Sequence, residues 1–156
     1  MTPTGRFIAT LLCVTCTFAS VANAQGAPPS KGEQALKYRK SVYQVMAWNF
    51  APIAAMAQGK VPYDAATFAM RAERVAMIAP MLKEAYPPES KDVANSKLKP
   101  VMWENRADFD AKLQSLIDKT AALAATAKAG DFENSKAAFL DAGGACKACH
   151  DKYKAD

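Results

Sequence analysis

The sequence has a single histidine, His150, and only four cysteines in 156 residues. No site that needs two imidazoles of this chain is therefore possible. Charge of one sign is never concentrated: the net charge of +5 comes from scattered lysines, so the basic stripe of a nucleic-acid-binding surface is missing. No useful length of sequence alternates polar and apolar residues, which excludes a β-rich fold. An apolar content of 51% instead predicts one ordinary globular domain.

The N-terminus has the three parts of a secretory signal. Arg6 supplies a positive charge, residues 7–22 are apolar or small without a charged residue, and Ala22-Asn23-Ala24 has the small-x-small pattern of a cleavage site. The run is too short and too rich in Thr, Ser and Cys to span a bilayer well, although an uncleaved membrane anchor is the alternative. We expect a signal peptide over residues 1–24 and an exported domain over residues 25–156.

Cleavage after Ala24 would remove Cys13 and Cys16 and leave two cysteines, Cys146 and Cys149, beside the only histidine. Cys146-Lys147-Ala148-Cys149-His150 is the C-x-x-C-H attachment signature of c-type haem. The two thiols add to the two vinyl groups on one edge of the porphyrin, and the adjacent imidazole is then placed under the iron. We predict one covalent haem c, with Cys146 and Cys149 as its thioether anchors and His150 as the axial iron ligand.

Other uses of paired cysteines fit this sequence less well. A thioredoxin-type redox pair needs a βαβ context, which the sequence does not offer. A zinc site needs a fourth ligand beyond Cys146, Cys149 and His150. A structural disulfide suits an exported chain, but it gives no reason for the single histidine to follow directly.

Helical periodicity dominates the predicted exported domain. Apolar side chains recur at steps of three and four, and Ser30 with Glu33 has the spacing of a capping box. Pro52 is expected to bend the first helix or rearrange its last turns. A long polar loop covers residues 87–100, and Gly143-Gly144 in the last helix suggests the close approach of a bulky group. These features predict an all-α antiparallel four-helix bundle, with helices over residues 32–58, 64–78, 105–130 and 131–153.

The sixth coordination position of the iron decides the function. With no second histidine, only methionine could give a common strong ligand, although methionine at helical spacing is more typical of core packing. The candidates are Met46, Met56, Met70, Met77, Met81 and Met102.

Several segments together resemble the cytochrome c′ family. They are the C-x-x-C-H motif near the C-terminus, the first-helix sequence of residues 36–46, Pro62-Tyr63-Asp64-Ala65-Ala66, and Trp103. The resemblance covers nearly all of residues 25–156. It implies a periplasmic four-helix bundle, usually a homodimer, with a high-spin five-coordinate haem whose apolar distal face admits carbon monoxide and nitric oxide.

The same resemblance assigns individual residues. Arg39 lies where the family keeps an arginine near a haem propionate, Lys40 follows in that patch, and Tyr43 covers the distal iron face. Low-spin six-coordinate relatives of the c-556 type have methionine where this chain has Tyr43. Two departures are Lys154, which replaces a typical arginine on the proximal side, and a longer loop over residues 87–100. That longer loop leaves open which of Lys97 and Lys99, if either, meets a propionate.

Three functions follow from these observations. The leading one is a haem protein that binds diatomic gases or transfers electrons to an unidentified redox partner without substrate turnover. The alternative is a six-coordinate electron shuttle with a Met ligand. A peroxidase-like enzyme would want a distal base, which the first helix does not supply. We expect Trp48 and Trp103 to be packing residues, an apolar lid of Val42, Met46 and Phe50 beside Tyr43, and further pocket contacts from Phe50, Tyr86, Phe139 and Tyr153.

Overall fold

The computed structural model describes residues 27–155, so the predicted signal peptide with Cys13 and Cys16 lies outside the described residues. This part of the chain is all-α, as predicted, and contains no β-strand. None of its helices is both long and apolar enough to cross a membrane. The α-helices are α1 (Lys31–Ala57), α2 (Ala65–Ile78), α3 (Val101–Glu104), α4 (Arg106–Lys128) and α5 (Phe132–Tyr153), with 3-10 helices at Ala79–Glu84 and Pro88–Ser90.

The four long helices form the predicted antiparallel four-helix bundle. Each of them packs on two others: α1 on α2 and α5, and α4 on α2 and α5. Apolar side chains at helical spacing fill the centre because their burial is the main favourable contribution to folding. The most deeply buried large side chains include Phe68, Leu82, Met102, Phe109 and Leu123.

Side-chain caps begin three of the long helices where the sequence predicts them. The Ser30 hydroxyl accepts a hydrogen bond from the Glu33 backbone N–H at 3.2 Å, and the Glu33 carboxylate accepts one from the Ser30 N–H at 2.7 Å. Asp64 and Asp131 cap α2 and α5 by accepting from the backbone N–H of the third residue of each helix. Because such donors stabilise the charged carboxylate, they hold the pKa of Glu33 and Asp64 below the usual values.

Helix α4 starts in the predicted place, but it lacks the side-chain cap that begins the other three long helices. Asn105 makes no capping hydrogen bond, and its side-chain amide donates to the Val101 carbonyl at 3.1 Å. Asp108, three residues on, accepts instead from the Tyr153 hydroxyl and the Lys152 ammonium. The preceding helix α3 has four residues, too few for helical periodicity to show in the sequence.

Helix α1 continues through Pro52. Proline has no N–H, so the carbonyl of Trp48, four residues earlier, loses its normal helical donor. The Arg71 guanidinium on α2 donates to this carbonyl at 3.2 Å and replaces the missing hydrogen bond. This hydrogen bond between Arg71 and Trp48 joins α2 to α1.

The loop before α3 is attached to the end of α5. The Lys99 N–H donates to the Tyr153 carbonyl, and the Ala155 N–H donates to the Lys97 carbonyl, both at 2.8 Å. These bonds form an antiparallel bridge between Leu98 and Lys154. The long polar loop is therefore held against the helix end that carries the C-x-x-C-H motif.

Candidate haem-binding site

A cavity of about 380 Å³ lies among α1, the loop before α3, α4 and the C-terminal end of α5. It brings together most of the site residues that the sequence predicts, although they come from four separate parts of the chain. Its walls are mainly apolar and aromatic, with lysines at the mouth. It is lined by Leu36, Arg39, Lys40, Tyr43, Ala47, Tyr86, Lys97, Leu98, Phe109, Cys149, His150, Tyr153 and Lys154.

The C-x-x-C-H residues lie on the last turns of α5. Cys149 and the exposed His150 line the cavity, while Cys146 is half-buried against the hydrophobic core one turn earlier. Burial raises the pKa of both thiols. Partial burial, and then the charge of Lys154, lower the pKa of His150. The imidazole is therefore neutral near pH 7, which is the form that can ligate a metal.

Arg39 is a buried cation on α1. Its side chain is only 5% exposed, and it donates to the Ala85 carbonyl at 3.4 Å and to the Ser96 hydroxyl at 3.1 Å. Burial lowers the pKa of Arg39. No carboxylate of residues 27–155 pairs with it. A buried charge needs a partner, and a carboxylate inside the cavity would provide one.

Lysines lie at the mouth of the same cavity. Lys40, Lys97 and Lys154 are exposed and contribute to its lining. Lys99 does not line the cavity, and its ammonium donates to the Asp151 carbonyl at 3.3 Å. Of the two loop lysines that the sequence leaves open, Lys97 is the one at the cavity.

Tyr43 reaches the cavity from α1, and its hydroxyl is hydrogen-bonded to that of Tyr86 at 2.8 Å. Tyr86 also lies within ring contact of Phe109, and Phe109 of Tyr153. Tyr86 and Tyr153 are pocket residues that the sequence predicts, but their connection through Phe109 has no signal in the sequence. Leu36, Ala47 and Leu98 also line the cavity without prior indication, because they carry no distinctive chemistry.

Other expected neighbours lie elsewhere. Phe50 and Phe139 contact each other, with ring centroids 4.9 Å apart, and neither lines the cavity. Val42 and Met46 are buried in the core rather than beside the cavity, so the residues flanking Tyr43 there are Leu36 and Ala47. Trp103 packs against the core as expected, whereas Trp48 is 75% exposed.

No methionine of residues 27–155 lines the cavity. Three of the six candidate sixth ligands are buried in the core, and the other three are exposed on α2 and the 3-10 helix that follows it. The buried ones are Met46, Met56 and Met102, and the exposed ones are Met70, Met77 and Met81.

These residues fit a haem. The cavity offers apolar and aromatic walls for the porphyrin, thiols and an imidazole on one helix, and a buried guanidinium for a propionate. When bound, haem supplies an iron that takes diatomic ligands and exchanges an electron. The fold and site define a c-type haem protein built on a four-helix bundle.

The chain belongs to the cytochrome c′ family, and its cofactor is covalently bound haem c. The family model for cytochrome c′ matches residues 34–154. Cytochrome c′ of Rubrivivax gelatinosus is 39% identical over 130 residues, which are 80% of this chain and 96% of that protein.

Solved structures agree with this assignment. Cytochrome c′ from Shewanella frigidimarina is 38% identical, with a TM-score of 0.78 over 83% of this chain and 100% of that one. A variant of the Alcaligenes xylosoxidans protein, solved as its nitric oxide complex, is 34% identical, with a TM-score of 0.75 over 83% of this chain and 99% of that one.

Proposed function

We propose that this protein is a periplasmic cytochrome with a high-spin, five-coordinate haem that binds nitric oxide and carbon monoxide or transfers electrons. The observation that carries the proposal is the composition of the cavity: it contains His150 and Tyr43 but no methionine of the described residues. A methionine ligand would have to lie within reach of the iron. The nitric oxide complexes of the Alcaligenes protein support gas binding by a chain of this fold.

Each site residue has a role in this proposal. Cys146 and Cys149 anchor the haem, and the neutral imidazole of His150 binds its iron. Arg39 and Lys97 lie where they can neutralise haem propionates, with Lys40 in the same basic patch, and Lys154 supplies a cation on the proximal side. The Lys154 ammonium replaces the usual arginine as a point charge and cannot give a bidentate contact.

Binding or electron transfer fits this cavity better than catalysis. Peroxidase chemistry needs a distal acid–base group. Among the described residues, the cavity lining includes no aspartate or glutamate, and its one imidazole is that of the attachment motif. We therefore propose that the protein does not turn over a substrate.

Optical spectra of the purified ferric and ferrous holoprotein test this function. We expect high-spin spectra in both states, because no methionine of the described residues lines the cavity. A low-spin wild-type spectrum that Met46→Ala converts to high-spin would contradict the proposal. It would identify Met46 as the sixth ligand and favour the c-556-type electron shuttle.

We also propose that the protein is a homodimer that associates through an apolar face on α1 and on the segment from α2 into the following 3-10 helix. This apolar face consists of Val45, Trp48, Met77 and Met81, which are between 47% and 75% exposed. Arg71 bonds to the Trp48 carbonyl and Tyr38 to the Met81 carbonyl, so the two segments lie side by side. An exposed apolar surface of this kind is typical of an interface.

Trp48→Glu is expected to convert the dimer to a monomer. The substitution removes the most exposed aromatic side chain of the apolar face and places two like charges across a two-fold contact, so we expect affinity to fall by at least about tenfold. Size-exclusion chromatography with light scattering measures the mass of the holoprotein in solution. The matched control is Leu140→Glu, because Leu140 is 61% exposed on α5. A wild-type monomer at high concentration, or a Trp48→Glu dimer, contradicts this interface.

A further inference from the structure

Tyr43 and Tyr86 both line the cavity and are hydrogen-bonded to each other through their hydroxyl groups. The two oxygen atoms are 2.8 Å apart, and the residues lie 43 positions apart in the chain. Tyr43 belongs to α1, and Tyr86 follows the 3-10 helix Ala79–Glu84. Burial raises the pKa of both phenols, so both are neutral near pH 7 and each hydroxyl can donate one hydrogen bond.

Tyr86 is the fixed member of this pair. Its side chain is 4% exposed, its ring meets the edge of Phe109 with centroids 4.7 Å apart, and the Arg39 guanidinium lies 4.7 Å from its ring centroid. Its backbone carbonyl accepts a hydrogen bond from Arg106 at 3.0 Å. The Tyr43 hydroxyl, in contrast, has Tyr86 as its partner within the described part of the chain. Tyr86 therefore sets the direction of the Tyr43 hydroxyl.

The direction of this hydroxyl matters for ligand choice. Distal hydrogen-bond donors favour oxygen binding to haem, while carbon monoxide and nitric oxide depend on them less. On the basis of the proposed gas-binding function, we propose that Tyr86 positions the Tyr43 hydroxyl and thereby influences which gases the haem binds. In this proposal the Tyr43 hydroxyl donates and the Tyr86 oxygen accepts, so the Tyr43 ring is left as an apolar wall and the Tyr43 proton is withheld from the ligand.

Tyr86→Phe tests this role because it removes one hydroxyl and keeps the ring. A buried hydroxyl that has lost its partner is unfavourable, so the Tyr43 hydroxyl will turn toward the cavity and donate there. We expect the oxygen affinity of the ferrous holoprotein to rise about tenfold, the effect of one modest hydrogen bond. We also expect the infrared stretch of carbon monoxide to move to lower frequency, as it does beside a hydrogen-bond donor.

Two further variants complete the experiment. Tyr43→Phe combined with Tyr86→Phe has no hydroxyl of this pair to release, so it should keep low oxygen affinity and show no downward shift of the carbon monoxide stretch. Tyr38→Phe is the matched control, because the Tyr38 hydroxyl donates to Glu84 and does not line the cavity. Tyr86→Phe protein with the carbon monoxide stretch and oxygen affinity of wild type overturns the proposal.

Denaturant unfolding of the wild-type, single-variant and double-variant holoproteins gives a readout that does not depend on gas binding. If the hydroxyls are paired, the two substitutions will not be additive in free energy: the unfolding equilibrium constant of the double variant should rise about threefold to tenfold less than the product of the two single-variant increases. Additive losses of unfolding free energy would show that the two hydroxyls are not paired. A wild-type protein that binds no carbon monoxide would overturn the proposed gas binding and the selectivity role, while unfolding still measures the pairing.

Discussion

Replacing both Cys146 and Cys149 with serine will make the haem removable. In the wild-type protein, two thioether bonds should hold the cofactor through acid denaturation and extraction with organic solvent, so intact mass will include one haem per chain. The variant can keep haem only through His150 and non-covalent contacts. We expect it to lose essentially all haem under the same treatment, as measured by mass spectrometry and by absorbance of the organic phase.

A matched control for this experiment replaces Cys13 and Cys16 with serine. These cysteines have the same two-residue separation but lie in the predicted signal peptide. Haem content should therefore be unchanged. The same mass spectrum reads the first residue of the exported chain, expected to be Gln25. Extractable haem in the wild-type protein contradicts covalent attachment, and a mature chain that retains Met1 contradicts cleavage of the signal.

Tyr43→Ala will speed carbon monoxide binding to the ferrous protein. The substitution removes an aromatic ring from the cavity wall, and we expect the association rate to rise roughly tenfold, equivalent to about 1.4 kcal/mol in the barrier. Stopped-flow mixing with carbon monoxide measures this rate. The control is Lys37→Ala on the same helix, because Lys37 is exposed, does not line the cavity and lies outside the proposed dimer face.

Tyr43→Met extends the test of this position. If the methionine sulfur reaches the iron, the ferrous spectrum will become low-spin and carbon monoxide binding will slow, because the ligand must then displace the thioether. An unchanged association rate in Tyr43→Ala would show that Tyr43 does not restrict access to the iron.

Local signals explain why the sequence predicts so much of the fold. Ser30, Asp64 and Asp131 cap helices through backbone groups only a few residues away, and such contacts can be read from short spacings. The attachment motif is equally local, since five consecutive residues contain both thiols and the imidazole. One helix therefore determines the chemistry of this end of the site.

The opposite wall of the site depends on information that short spacings do not contain. On α1, Leu36, Tyr43 and Ala47 face the cavity, whereas Val42 and Met46 face the core. Neighbouring positions lie about 100° apart around a helix, so the cavity-facing and core-facing residues form two adjacent rows along α1. Both rows have the same helical spacing in the sequence, and periodicity alone does not separate them. The contact between Tyr43 and Tyr86 depends on how the chain that follows the 3-10 helix Ala79–Glu84 packs against α1.

The exposure of Trp48 has a similar cause. Large aromatic residues are usually well buried within a chain, which is why the sequence suggests packing for both tryptophans. The structure leaves Trp48 on the outer side of α1, where the contacts of a single chain do not cover it. A sequence pattern gives the spacing of apolar residues, but it does not distinguish a core from an interface between two chains.

The bridge between Leu98 and Lys154 links the stability of the loop to that of the haem-bearing helix end. Its two backbone hydrogen bonds, from Lys99 to Tyr153 and from Ala155 to Lys97, must break together when either segment lifts away. The amide protons of Lys99 and Ala155 should therefore exchange with solvent at similar rates, through one shared opening. Covalent haem attachment at Cys149 would restrain that opening, so the basic residue Lys97 would be held at the cavity mouth by the cofactor's own anchor.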